Sequence, residues 1–200
     1  MNEQSLNEEQ RDALQEICNV GMGKAAAALA QLLGAFVTLS VPGIRLVNID
    51  QLRDALTSRD NGQLPPVRQA FQSDISGEAI VLFGRDGQRE LQQLMGYGVG
   101  NTDAEVEVLC DIANLLVGAC VRSVFEQLGR RICFSGPTLL PLAAETSDGF
   151  LLNGRWAFAL LLEIHFTLEQ GGFGARMVIL LPDAAIEGMK RALDQFLESF

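Results

Sequence analysis

Between residues 7 and 33 the apolar side chains Leu14, Ile17, Cys18, Ala25, Ala28, Leu29 and Leu32 recur at helical spacing and share one face. Asn7 suits an N-cap, Glu8 and Glu9 stand where the helix dipole favours acids, and Gly34 is placed to stop the helix. Strand-like segments follow at Ala35–Val41 and Ile44–Ile49. Arg53–Pro66 is polar, with Asn-Gly and Pro-Pro, and predicts a loop or a short distorted helix. Arg68–Ile75 and Glu78–Phe83 predict a hairpin turning near Ser76-Gly77, and Gln88–Met95 a short helix. The order then recurs after a joint at Gly96–Asn101. A long helix is expected over Asp103–Leu128 and a strand over Arg131–Ser135. Two long apolar strands, Trp156–Leu168 and Ala175–Leu181, flank a turn at Glu169–Gly174. A closing helix spans Asp183–Phe200, with Asp183 as its cap. Strands beside strands, with helices between the sets, predict an α+β fold. Two such halves predict two long helices packed on one continuous, largely antiparallel sheet with a pseudo-twofold axis.

The halves share more than element order. An acid-x-x-x-acid-x-x-Asn string with a proline 23 residues after the Asn occurs at Asp12, Glu16, Asn19 and Pro42. It occurs again, 95 residues on, at Glu107, Asp111, Asn114 and Pro137. With eight Asn and six Pro in 200 residues, chance supplies such a second copy in roughly a few chains per thousand, so the pattern reads as a duplication. Leu14 with Leu109, Gly23 with Gly118, Leu33 with Leu128, Gly34 with Gly129 and Ser40 with Ser135 agree with it. Ala79–Leu82 matches Arg176–Ile179, and Asp86 matches Asp183, at an offset of 97. The chain therefore reads as one domain, 1–200, made of two repeats, about 5–98 and 101–200.

Positions i, i+4 and i+7 fall on one stripe of a helix. Asp12, Glu16 and Asn19 therefore project together, as do Glu107, Asp111 and Asn114, and the apolar positions beside them turn each stripe to solvent. Gly23 and Gly118 continue the stripe by one turn, where a missing side chain lets another backbone approach. For a single copy, a solvated acidic face is the ordinary explanation; the matched duplication weighs against it.

A net charge of -10 and a pI near 4.5 argue against nucleic acid and anionic membrane surfaces as partners, and leave room for a partner that presents a lysine. The opening Met1-Asn2-Glu3-Gln4 carries no signal-like pattern and no apolar run reaches membrane-spanning length, so a cytoplasmic location is expected. Cys18, Cys110, Cys120 and Cys133 lack C-x-x-C spacing and read as buried, reduced thiols. The motif contains no histidine and the lone His165 lies in a strand-like segment, so no metal site is expected. No histidine lies near a serine or cysteine in sequence to activate a nucleophile. A carboxamide offers one acceptor and two donors and can orient a water molecule. A carboxylate one turn away can meet a lysine. That pairing suits hydrolysis of a phosphoryl group whose Mg²⁺ and Lys belong to the partner.

Residues 12–19, DALQEICN, with Pro42, resemble the Asp/Ser-x-x-x-Glu-x-x-Asn…Pro signature of the CheC/CheX/FliY family of chemotaxis phosphatases. EVLCDIAN at 107–114, with Pro137, keeps the spacing but carries Glu107 for Asp/Ser and Asp111 for Glu. Two copies in one chain of this length resemble CheC most. The resemblance implies dephosphorylation of phospho-aspartate on a CheY-like response regulator, with a long helix docking on the receiver domain. It further implies that Asn19 and Asn114 position the attacking water and that Glu16 and Asp111 contact the receiver's lysine. No cofactor of the chain's own is implied; Mg²⁺ is expected in the receiver. The altered acid lengths predict a fully competent first site and a weaker or silent second. Rival readings are a non-catalytic, flagellar-switch-like binding module, a regulator of a CheD-type receptor deamidase, and a receiver phosphatase outside chemotaxis. CheD is a further partner that the resemblance suggests, and a monomer or weak dimer is expected.

Overall fold

The computed structural model describes residues 6–40, 42–57, 64–84, 91–92, 95–96, 102–140, 158–169 and 172–199. Helix α1 (Glu8–Leu33) starts at a reciprocal capping box: Gln10 N donates to Asn7 Oδ1 at 2.7 Å, and Asn7 N donates to Gln10 Oε1 at 3.1 Å. It stops at Gly34, whose φ of 62° lies in the left-handed region that glycine tolerates. Strands β1 (Val37–Leu39) and β2 (Gly43–Asn48), helix α2 (Ile49–Thr57) and the hairpin β3 (Val67–Gln72) and β4 (Gly77–Phe83) follow. Helix α3 (Thr102–Gln127), strands β5 (Cys133–Phe134), β6 (Thr138–Leu139), β7 (Phe158–Leu168) and β8 (Gly174–Pro182), and helix α4 (Asp183–Leu197) complete the described elements. The architecture is α+β: one eight-stranded sheet, ordered β1-β7-β8-β4-β3-β5, in which β2 also pairs with β7 and β6 with β3. Every pairing is antiparallel.

Register makes the internal correspondence physical. Leu39 faces Phe166 as Phe134 faces Phe71, and Gly43 faces Glu163 as Thr138 faces Arg68. Ser40 Oγ accepts from His165 N at 3.1 Å, and Ser135 Oγ accepts from Ala70 N at 3.0 Å, which gives the matched serines a shared task. Because Ala70 pairs with Glu78, and His165 with Arg176, the second hairpin strands correspond 98 residues apart rather than 97. Equivalent places then carry ion pairs of opposite polarity. Arg68 meets Glu78 with two hydrogen bonds, at 2.6 and 2.7 Å, and Arg176 meets Glu163 at 2.9 Å. Burial pushes the Glu163 carboxyl up, but the Arg176 hydrogen bond and the charges of Arg176, His165 and Arg45 outweigh it and hold it below its usual value.

Helices α1, α3 and α4 cover one face of the sheet, and α2 covers part of the other through Leu52, Val47, Ile80, Leu161 and Leu180. The central strand β4 is buried along its whole length and β8 along most of its own, which accounts for their nearly unbroken apolar sequences. Helices α1 and α3 run antiparallel at close range. A Cβ on Gly21 would lie 2.9 Å from the Cys120 carbonyl oxygen and 3.2 Å from Val124 Cγ2. Gln127 Nε2 spans the pair, donating to Ile17 O at 3.0 Å and to Ser123 O at 3.1 Å.

Several expectations are corrected. Ile49 opens α2 instead of ending β2, because Asn48 and Gln51 form a second reciprocal cap at 2.9 and 3.0 Å. The strand expected over residues 131–135 is only two residues long and β6 follows it; β3 stops at Gln72. Pro182, not Asp183, stands at the N-cap of α4, and no side chain bonds there. Cys133 is exposed and Cys110 half-buried, since β5 lies on the sheet edge and Cys110 on the flank of α3. Residues Glu105–Gln127 are long and apolar enough to cross a membrane, contrary to expectation, but the apolar 18-residue window within them is 61% buried against the rest of the protein. Most of the helix expected at 88–95, Asp86, and most of the 96–101 joint lie outside the described residues.

Since the Gly21 contact is backbone against backbone, Gly21→Val should force the two long helices apart and lower stability by about 1–3 kcal/mol in urea unfolding.

Candidate functional site

The stripe on α1 follows from its apolar phase. Leu14, Ile17, Cys18 and Leu29 are fully buried, which turns Asp12, Glu16, Asn19 and Gly23 outward, and all four are exposed. On α3 the buried Val108, Ile112 and Leu116 likewise turn Glu107, Asp111 and Asn114 to the surface, with Gly118 half-buried behind them. None of the four carboxylates, nor the Asn19 carboxamide, bonds to any described residue. The surface beyond each asparagine is low. Val20 and Ala27 are exposed on α1, and a Cβ on Gly23 or Gly118 would meet nothing within 4 Å.

The two triads do not converge into one site. Gly21 lies level with Cys120 and Val124. At 1.5 Å of rise per residue, Asn19 and Asn114 therefore stand roughly 15 Å apart along the antiparallel pair. They also differ in their surroundings. Gln69, buried in β3, donates through Nε2 to Asn114 Oδ1 at 2.9 Å and to the Ser135 carbonyl at 2.9 Å. The Asn19 carboxamide has no such tie, and the strand position matching Gln69 is the apolar Ile164, fully buried. Gln69 escaped the sequence reading. Its one available signal is a polar residue in the core-facing phase of a strand, between Val67 and Phe71.

Other chemistry is sparse. Among the described residues no group of three or more His, Cys, Asp or Glu side chains could hold a metal ion. His165 sits on β7 with Nε2 3.3 Å from Glu163 Oε1, away from both triads in the sheet. The thiols are poor nucleophiles where they are buried. Burial pushes Cys120 up to about 12, and burial together with Cys120 raises Cys18 well above the ordinary thiol value. Cys110 is raised by partial burial and by the neighbouring Asp111.

At pH 8 a disulfide reagent should therefore modify Cys133 first and Cys110 more slowly, sparing Cys18 and Cys120 until the protein unfolds. Mass spectrometry of timed aliquots checks the order. Raising the pH to 9 should speed Cys110 and leave the buried pair untouched.

Residues 9–45 match the model of the CheC-like family, a stretch that holds the whole first motif, Asp12 to Pro42, and stops short of the second. The chain is 28% identical over 161 residues to the CheY-P phosphatase CheC of Bacillus subtilis (strain 168), covering 73% of this chain and 74% of that one. Its fold is similar to Thermotoga maritima FliY, at a TM-score of 0.68 and 18% identity, over 96% of this chain and 98% of that one. It is also similar to the FliM middle domain of Vibrio alginolyticus, at a TM-score of 0.64 and 11% identity, over 90% and 99%. The chain has the CheC-like fold.

Proposed function

We propose that this protein hydrolyses phospho-aspartate on a CheY-like receiver domain and that Asn19 orients the attacking water. One observation carries this reading: Asn19 is exposed one turn past Glu16, on an open helix ridge, with no described residue occupying its carboxamide. The similarity to a protein named as a CheY-P phosphatase supports it. In the reaction, a water oxygen attacks phosphorus from the side opposite the aspartyl oxygen. The P–O bond to the receiver's aspartate breaks, releasing phosphate and a carboxylate, and the water gives up a proton to solvent. Asn19 Oδ1 accepts a hydrogen bond from that water and fixes its line of approach, a placement effect. Glu16 pairs with a lysine of the receiver, and Asp12 and Gly23 flank the docked surface. Mg²⁺ is supplied by the receiver. Glu107, Asp111, Asn114 and Gly118 form a second, weaker station, in a domain built from two repeats, about 5–98 and 101–200.

The fold shared with a FliM middle domain supports one alternative, a binding module without turnover. Phosphate release from a phosphorylated CheY-like receiver separates the two. Asn19→Ala should slow release by about 100-fold at saturating receiver, a typical loss for misplaced reactants. Adding Asn114→Ala should bring it to the receiver's own rate, and Glu16→Gln should weaken binding as well. A double asparagine variant as fast as wild type sinks the proposal. A wild type that binds the phosphorylated receiver without hastening release favours the scaffold.

Gly23→Ala gives a second handle. Open space around that position means the substitution should stabilise the free protein by up to about 1 kcal/mol in thermal unfolding. Its added methyl should weaken receiver binding, read as a raised KM.

A further inference from the structure

Two carboxamides with the same sequence context differ in what holds them. Gln69 Nε2 lies 2.9 Å from the Ser135 backbone carbonyl, which can only accept, so the nitrogen of the Gln69 amide must point that way. The same nitrogen lies 2.9 Å from Asn114. The atom it meets there is therefore an acceptor, and the oxygen of the Asn114 amide faces the sheet. Ser135 is itself fixed, because Ser135 N donates to Ala70 O at 2.9 Å and Ser135 Oγ accepts from Ala70 N at 3.0 Å. Gln69 is 2% exposed and its own Oε1 is buried without a hydrogen bond to any described residue. A buried polar group satisfied on one side alone is costly to keep. In the other copy, the matching position is Ile164, which can bond to nothing.

We propose that Gln69 is a positioning residue that draws the acceptor oxygen of Asn114 toward the sheet and so restrains the second copy of the triad. The inference rests on the reading in which the asparagine carboxamides orient the attacking water. With its oxygen turned inward, Asn114 presents N–H groups to a docked partner. Those can contact phosphoryl oxygens but cannot accept a proton from water. The second copy is thus limited by a bond from the sheet as well as by the acid lengths at Glu107 and Asp111.

The test is carried out in the full chain carrying Asn19→Ala, so that turnover reports the second copy alone, with a phosphorylated CheY-like receiver as substrate. Replacing Gln69 by Ile, the residue of the other copy, or by Leu, should raise kcat by about 3- to 10-fold, the release of one neutral hydrogen bond. KM should not move, because Asp111 and Gly118 are untouched. A purely structural role would lower stability without this selective gain in kcat. An unchanged or reduced kcat in either folded variant overturns the proposal. Should both variants misfold, the wild-type hydrogen bond is still measurable. The Gln69 side-chain amide protons should exchange slowly with solvent by NMR, and at least 5-fold faster in Asn114→Ala, again about the worth of one hydrogen bond. Equal exchange rates overturn it. The Asn19→Ala, Asn114→Ala double variant is measured alongside. If it turns over as fast as wild type, the water-orienting role and this inference fall together. If it is inactive while Gln69→Ile gives no gain, only this inference falls.

Discussion

Strands β4 and β8 hydrogen-bond across the middle of the sheet, with Ile80 opposite Val178, and the rest of the fold is arranged around that pairing. It joins two hairpins that would otherwise each present an unpaired, apolar edge. It also sets which helix lies over which strand. Once β4 and β8 are paired, β3 and β7 are carried to equivalent flanks, where β5 and β6 on one side and β1 and β2 on the other extend the sheet. Helices α1 and α3 then cover a single apolar face, and the contact at Gly21 draws them together tightly enough that their polar stripes lie at the surface. The exposure of Asn19 and Asn114 is thus a consequence of how the middle of the sheet is paired.

Much of this was legible from side-chain pattern. The long helices declared themselves by their apolar phase, the first also by Asn7 and Gly34, and the hairpin β3–β4 by its Ser76-Gly77 turn. What escaped was decided by one local cap and by contacts between distant segments. Ile49 continues the apolar run of β2, so the start of α2 was hidden; only the Asn48-x-x-Gln51 cap, the same device as Asn7-x-x-Gln10, marks it. Strands β5 and β6 are two residues each and exist because β3 offers them partners. Cys133 is exposed because its strand is an edge, which its own sequence does not announce.

The candidate site divides in the same way. The spacing of Asp12, Glu16 and Asn19 places them on one stripe whatever the tertiary structure, and their exposure follows from the apolar residues between them. The asymmetry of the copies was visible only in part. Acid lengths differ in the sequence, but the bond from Gln69 to Asn114 links residues 45 apart and depends on α3 lying beside β3. Pattern alone could flag Gln69 as a polar residue in the wrong phase; it could not say what the residue reaches.

The ion pairs of the two hairpins carry a further consequence. Arg68 with Glu78 and Glu163 with Arg176 occupy equivalent places with the signs exchanged. A chain whose two hairpins match in register faces a particular hazard, because β4 and β8 offer similar apolar surfaces to a partner strand. Were β3 to form its hairpin with β8, Arg68 would be set beside Arg176; were β7 to form its own with β4, Glu163 would be set beside Glu78. Like charges set as diagonal neighbours within reach across a strand pair repel. The reversal of polarity therefore favours each half's own hairpin over one exchanged with the other half.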